Sequence, residues 1–173
     1  VTSADQVNYG EFVRSMPFPT LINIVSLGPL EGSALLEMNL PLTLSIIDRL
    51  VGGPGMYRAR LRELTDIEVA LSRGVTEMML AAFTEAWSTV APLDFQHQVT
   101  EMNPQFAQIA ASGDAAVLVG FEMKVGQITG TVNLCIPHLT LEPIMDKLSA
   151  QSYFSSKRGA VPVDMREIVA TEI

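Results

Sequence analysis

The chain has 173 residues, 48% of them hydrophobic, with a formal net charge of −8 and a pI near 4.7. That length and apolar share suit one compact domain with a substantial core, and the acidic balance disfavours a nucleic-acid backbone or an anionic membrane as main partner. The single cysteine, Cys135, excludes an intramolecular disulfide and fits a reducing compartment. No apolar run approaches the ~20 residues of a membrane helix, no signal-peptide pattern opens the chain, and its start at Val1 without a methionine reads as an excised piece.

In chain order, residues 3–15 read as a helix that begins near Ser3 and stops before Pro17-Phe18-Pro19. A strand over Leu21–Leu27 leads into a hairpin that places Leu30, Ala34, Leu36 and Met38 on one face. A helix follows, with Pro41 in its first turn and an apolar stripe of Leu42, Ile46, Ile47 and Leu50. Next come Gly52-Gly53-Pro54-Gly55 and the charged stretch from Met56 to Glu63. The longest helix spans about Thr65 to Val90 and opens on the capping box Thr65-Asp66-Ile67-Glu68. Ile67, Leu71, Val75, Met78, Met79, Ala82, Phe83, Ala86 and Trp87 give it a broad apolar face, as expected of a central helix. Gly74, which costs about 1 kcal/mol relative to alanine in a helix, implies close packing there.

A strand over Phe95–Thr100 comes next, then a short helix capped by Asn103 and ending before Ser112-Gly113-Asp114. Val117, Val119, Phe121, Met123 and Val125 alternate with Leu118, Gly120, Glu122 and Lys124. Beyond the turn Gly126-Gln127, Ile128, Val132, Leu134 and Ile136 alternate with Thr129, Thr131, Asn133 and Cys135. This is a hairpin with one buried face. It feeds a helix with Pro143 in its first turn and Leu141, Ile144, Met145 and Leu148 as its stripe. Residues 150–173 are polar and poorly periodic until Asp164–Ile168, and read as an extension or linker.

Residues 28–50 reappear without a gap as residues 126–148, an offset of 98. Six aligned pairs are identical: Gly28/Gly126, Gly32/Gly130, Leu36/Leu134, Ile46/Ile144, Asp48/Asp146 and Leu50/Leu148. Ordinary composition gives roughly one or two identities over such a stretch. A duplicated hairpin–helix unit predicts a pseudo-two-fold domain in which neither half, about 3–51 and 65–149, closes its core alone.

No catalytic or metal-binding constellation emerges from the residues. His97 and His138 lack companions at metal-ligand spacing and read as a strand surface and a helix start. No serine lies in a G-x-S-x-G elbow. Asp48 and Asp146 sit beside Arg49 and Lys147 near helix ends, where a solvated structural role is the simpler reading. The strongest local signal is Gly52-Gly53-Pro54-Gly55. A helix C-terminus accounts for Gly52 or Gly53 and for Pro54, but leaves Gly55 over, and the second copy runs Ser149-Ala150-Gln151-Ser152 instead. A glycine loop present in one half only is equally a contact site for a partner. It lacks the lysine and hydroxyl residue of a phosphate-binding loop.

Several segments together resemble a known family. Tyr9-Gly10-Glu11-Phe12-Val13-Arg14-Ser15 with Pro17-Phe18-Pro19-Thr20, Asp48-Arg49-Leu50-Val51-Gly52-Gly53-Pro54-Gly55 and Leu64-Thr65-Asp66-Ile67-Glu68 are similar to the middle domain of the FliM family of flagellar motor switch proteins. Asn103-Pro104-Gln105-Phe106-Ala107, Asn133-Leu134-Cys135-Ile136-Pro137 and Leu139-Thr140-Leu141-Glu142-Pro143-Ile144 extend the resemblance over about residues 5–160.

The resemblance implies an α+β, α/β/α-layered fold of the CheC type, duplicated about a pseudo-two-fold with a long central helix. It assigns residues 1–150 to the middle domain and 151–173 to a linker toward a further, C-terminal domain. It implies a non-enzymatic element of the ring at the cytoplasmic base of the flagellum, on the inner membrane's cytoplasmic face. The middle domain of the rotor protein FliG is expected to contact Gly52, Gly53, Pro54 and Gly55, with flanking Arg60 beside them. Neighbouring FliM copies are expected at its sides. Phosphorylated CheY is expected mainly through an N-terminal segment outside this sequence, and FliN through the C-terminal domain. No cofactor, metal or nucleic acid is implied. CheC and CheX relatives hydrolyse an aspartyl-phosphate with a glutamate and an asparagine three positions on. Here Glu68, Glu77 and Glu85 are followed at that spacing by Leu71, Leu80 and Ser88, and Glu-x-x-Asn occurs nowhere in the chain, which argues against the alternative of a CheC- or FliY-like phosphatase. A binding domain for an unrelated partner is the third reading.

Overall fold

Six strands form a single antiparallel sheet, and helices cover both of its faces; the computed structural model describes residues 1–56 and 60–147. The elements are β1 (Ser3–Asn8), α1 (Tyr9–Ser15), β2 (Leu21–Gly28), β3 (Leu30–Met38), α2 (Leu40–Leu50), α3 (Asp66–Trp87), β4 (Asp94–Glu101), β5 (Ala115–Val125), β6 (Ile128–Pro137) and α4 (His138–Leu141). Single 3-10 turns occupy Pro104–Phe106 and Glu142–Ile144. The spatial order is β1-β5-β6-β3-β2-β4.

The two hairpins, β2–β3 and β5–β6, meet along β3 and β6 at the sheet centre. Leu36 stands directly opposite Leu134, its repeat counterpart, flanked by Leu35↔Cys135 and Glu37↔Asn133, the register a local two-fold would give. The repeat glycines show why that position takes no side chain. A Cβ on Gly32 would lie 2.6 Å from Thr140 Oγ1 of α4, and one on Gly130 would lie 2.6 Å from Leu42 Cβ of α2. Leu42 and Thr140 are themselves 98 residues apart, so each hairpin makes room for the helix that follows the other. α2 accordingly packs on β5 and β6, and α4 on β3.

The larger core lies between one sheet face and α2, α3 and α4. It contains Leu21, Val25, Leu36, Met38, Leu42, Val75, Phe83, Leu134 and Ile136. The apolar residues assigned to the hairpins' buried face pack here, except Ile128 beside the β5–β6 turn, which is only half-buried and outside the cluster. The opposite face is not open, as a one-sided hairpin would leave it. Tyr9 and Phe12 of α1, with Ala107, cover Ile22, Leu35, Ala116 and Cys135. Burial pushes the Cys135 thiol up to about 12.

Several local expectations need correction. Residues 3–8 are strand, not helix: they pair with β5 from Ser3↔Gly120 to Asn8↔Ala115. The side chain of Asn8 accepts the Glu11 N–H, so the helix begins at Tyr9. Pairing with an otherwise open β5 edge outweighs the modest helical preference of Ser3–Val7. The Asn103-capped helix shrinks to one 3-10 turn. Pro41 does occupy the first turn of α2, whose N-cap is Asn39. Pro143 also takes a first-turn position, but in the 3-10 turn Glu142–Ile144 and not in an α-helix, since α4 has already started at His138. Leu50 is exposed, while Leu148 and the 150–173 extension lie outside the described residues.

α3 starts where the capping box places it. Thr65 and Glu68 exchange the two reciprocal bonds, and the Arg62 guanidinium, paired with Glu68 at 2.7 Å, holds that carboxyl down at about 2. The helix ends at Trp87, not Val90, and it is not enclosed on all sides. It buries a stripe of Ser72, Val75, Thr76, Leu80 and Phe83. Ile67 and Met78 are exposed, and a Cβ on Gly74 would meet nothing within 4 Å. Close packing therefore does not explain Gly74. Gly74→Ala should stabilise the domain by about 0.5–1 kcal/mol through the unfolded chain's lost freedom, read as a higher denaturant midpoint; an unchanged or lower midpoint contradicts this.

Candidate functional site

The loop after α2 is built from two glycine devices in series. Gly52 takes φ +92°, donates its N–H to the Arg49 carbonyl at 3.0 Å, and is followed by Gly53 donating to the Asp48 carbonyl at 2.7 Å. This pair of bonds with a left-handed glycine is a Schellman cap, which satisfies carbonyls the helix end leaves open. A cap alone needs nothing further. Here the chain turns again: Gly55 takes φ +75° and donates its N–H to Asp48 Oδ2 at 2.8 Å. Gly52 and Pro54 are exposed, Gly53 is half-buried and Gly55 is buried. The loop thus shows Pro54 outward on a backbone fixed from within: the cap accounts for Gly52 and Gly53, and the Asp48 side chain for the turn at Gly55.

The side chains of the last α2 turn explain the remaining glycine requirement. A Cβ on Gly53 would fall within 2.5 Å of Asp48 Cγ, and one on Gly55 would fall 2.6 Å from Arg49 Cγ. Arg49 also reaches the other half, since a Cβ on Gly126 would lie 2.9 Å from its Nη1. Asp48 is therefore a half-buried loop acceptor, not the solvated helix-end charge expected from its neighbour Arg49, whereas Asp146 is exposed. Asp48 and Arg49 escaped the sequence reading of the site. The available signal was an acid seven residues before the last glycine of Gly-Gly-Pro-Gly. Arg60 is exposed and follows residues 57–59, which are outside the described set.

The histidines fall elsewhere. His138 is the first residue of α4. His97 lies not on an open strand surface but half-buried beside a groove of about 380 Å³ between α3 and β4, lined also by Arg73, Glu77, Thr84 and Phe95. Its Nε2 is 2.9 Å from Thr100 Oγ1, and burial, then the nearby Arg73 cation, push its pKa down. Among the described residues no group of three or more His, Cys, Asp or Glu could hold a metal. Glu68, at the start of α3, is engaged by Arg62 and by the Thr65 cap, with Leu71 three positions on.

A layered α+β domain whose two hairpins meet along β3 and β6, with an exposed glycine loop after α2, defines the class: the middle-domain fold of flagellar motor switch proteins. The profile of the family described as flagellar motor switch protein FliM matches residues 1–153, and the chain belongs to that family. FliM of Treponema pallidum is 46% identical over 158 residues, covering 91% of this chain and 46% of the relative. The chain thus spans about half the length of the curated relatives it matches. Among solved structures, a FliG–FliM complex from H. pylori superposes with a TM-score of 0.80 at 33% identity, covering 83% of this chain and 79% of that one. A FliM middle domain from H. pylori gives 0.76 at 32% identity, with coverage of 84% and 78%.

Proposed function

We propose that this domain is a non-enzymatic component of the flagellar motor switch ring that holds the middle domain of FliG through Gly52, Gly53, Pro54 and Gly55, with Arg60 beside the contact. The observation that carries the reading is the loop itself: a backbone-rich, outward-facing turn that is prefixed by hydrogen bonds and has no counterpart sequence after the second repeat. Fixing a loop before binding lowers the ordering cost that association would otherwise incur. The likeness to a chain solved in a FliG–FliM complex supports the choice of partner. The site would lie at the cytoplasmic base of the flagellum. Neighbouring copies would meet heterologously at the sides of the domain, the contact type that closes into rings. The longer protein would receive phosphorylated CheY mainly through an N-terminal segment and FliN through a C-terminal domain, with residues 151–173 as the linker. In that arrangement the domain helps turn CheY-phosphate binding into a change of rotation sense.

Titration calorimetry against the FliG middle domain, wild type beside Gly53→Asp, tests this. The new side chain would collide with the Asp48 carboxylate and set two like charges together. Binding should weaken by at least about 100-fold, the loss of roughly 2.7 kcal/mol, while a circular-dichroism melt shows the fold retained. Equal binding by the two proteins would reduce the loop to a helix cap.

A further inference from the structure

We propose that Asp48 is a positioning residue for partner capture, and that Arg49 ties the loop it positions to the second half of the domain; this rests on the loop being the partner site. Two independent bonds leave Asp48 for the loop: its carbonyl accepts the Gly53 N–H at 2.7 Å, and its Oδ2 accepts the Gly55 N–H at 2.8 Å. The first is a helix-ending bond that any residue at that position supplies. The second depends on the side chain. Without it the Schellman cap would end at Gly53, and Pro54-Gly55 would have no hydrogen bond back to the helix among the described residues.

The location argues for this role. An acid in the last helical turn faces the negative end of the helix dipole and is unfavourable for the helix itself. Asp48 stands three positions before the Val51 C-cap, so its compensation lies outside the helix, in the charge-assisted bond to Gly55. The carboxylate sits so close over Gly53 that only hydrogen fits there. Gly53 is thus glycine to admit Asp48 rather than to adopt a left-handed φ, which is confined in this loop to Gly52 and Gly55. Arg49 completes the frame. Its stem lies against Gly55 and its guanidinium end against Gly126 at the β5–β6 turn. The loop of one half therefore rests on the hairpin turn of the other, and a shift between halves would be felt at Pro54.

The test uses the whole 173-residue chain, with Asp48→Ala, Asp48→Asn and Arg49→Ala, read by calorimetry against the FliG middle domain and by amide exchange at Gly55. Asparagine keeps a side-chain oxygen acceptor and alanine does not. Asp48→Ala should lose about tenfold in affinity and Asp48→Asn no more than about threefold. Gly55 exchange should accelerate in the alanine variant alone of these two, with thermal midpoints unchanged. Arg49→Ala should weaken binding by about threefold, between the wild type and Asp48→Ala. Wild-type affinity in Asp48→Ala, or unchanged Gly55 protection in it, overturns the proposal. Failure of the wild-type chain to bind overturns the partner reading, and the Gly55 exchange then still upholds or overturns Asp48 as the residue that fixes the loop.

Discussion

Leu36→Ala is expected to lower the unfolding free energy by about 3–5 kcal/mol, the range for deleting a large aliphatic side chain where surroundings cannot collapse. Leu36 has no solvent exposure and faces Leu134 at the junction of the two hairpins. Its neighbours in the core come from α2, α3 and both hairpins, so relaxation in one element is opposed by the others. Against a total of about 5–15 kcal/mol for a domain of this size, such a loss leaves the variant near its unfolding threshold. Leu134→Ala should behave alike, because the two residues occupy equivalent places across the β3–β6 ladder. Equilibrium urea unfolding measures both. A loss below about 1 kcal/mol in either would mean that the hairpin junction is not the centre of the core.

The second large effect concerns a carboxyl group inside the sheet. Glu37 is 2% exposed, accepts from Thr20 Oγ1 at 2.5 Å and from Asn133 Nδ2 at 2.7 Å, and burial raises its pKa above the ordinary 4.5 despite those two donors. The folded domain therefore retains this proton over a pH range in which the unfolded chain has already lost it. Its contribution to stability is fully present below about pH 4.5 and is lost as pH rises through the folded value. Glu37→Gln should flatten that fall, measured as urea midpoints between pH 4.5 and 8. Asn133→Leu should cost about 1.5–3 kcal/mol by removing a donor to a buried acceptor. That cost should be greater at pH 8 than at pH 5, because the lost bond favours the charged form. A pH-independent cost would show that Glu37 stays neutral throughout.

Period-two alternation disclosed both hairpins and their core face, since Leu36, Val132, Leu134 and Ile136 point where the pattern sends them. The Thr65–Glu68 capping box likewise fixed the start of α3 to the residue. These signals are local. What stayed hidden depends on contacts distant in sequence. Ser3–Asn8 becomes a strand only because β5 offers an edge 110 or so positions away. Gly32 and Gly130 were visible as an identical pair, but their cause, Thr140 and Leu42 of the opposite halves, emerges only from the packing. At the site, Gly-Gly-Pro-Gly was legible and its scaffold was not. Asp48 reads as an ordinary surface acid until its carboxylate is seen to accept from Gly55. Glu37 is similarly unremarkable in the sequence, because alternation places it opposite the main core and says nothing of α1 covering that side.

FliG binding at the glycine loop is the proposal on which the role of Asp48 and Arg49 also depends. Amide chemical-shift mapping of the isotope-labelled chain during titration with the FliG middle domain tests it most directly. The largest perturbations should fall on Gly52, Gly53 and Gly55 and on the Asp48–Arg49 turn, extending to Gly126 through Arg49. Saturable perturbations centred instead on the α3–β4 groove around Arg73 and His97, with the loop amides unmoved, would contradict it.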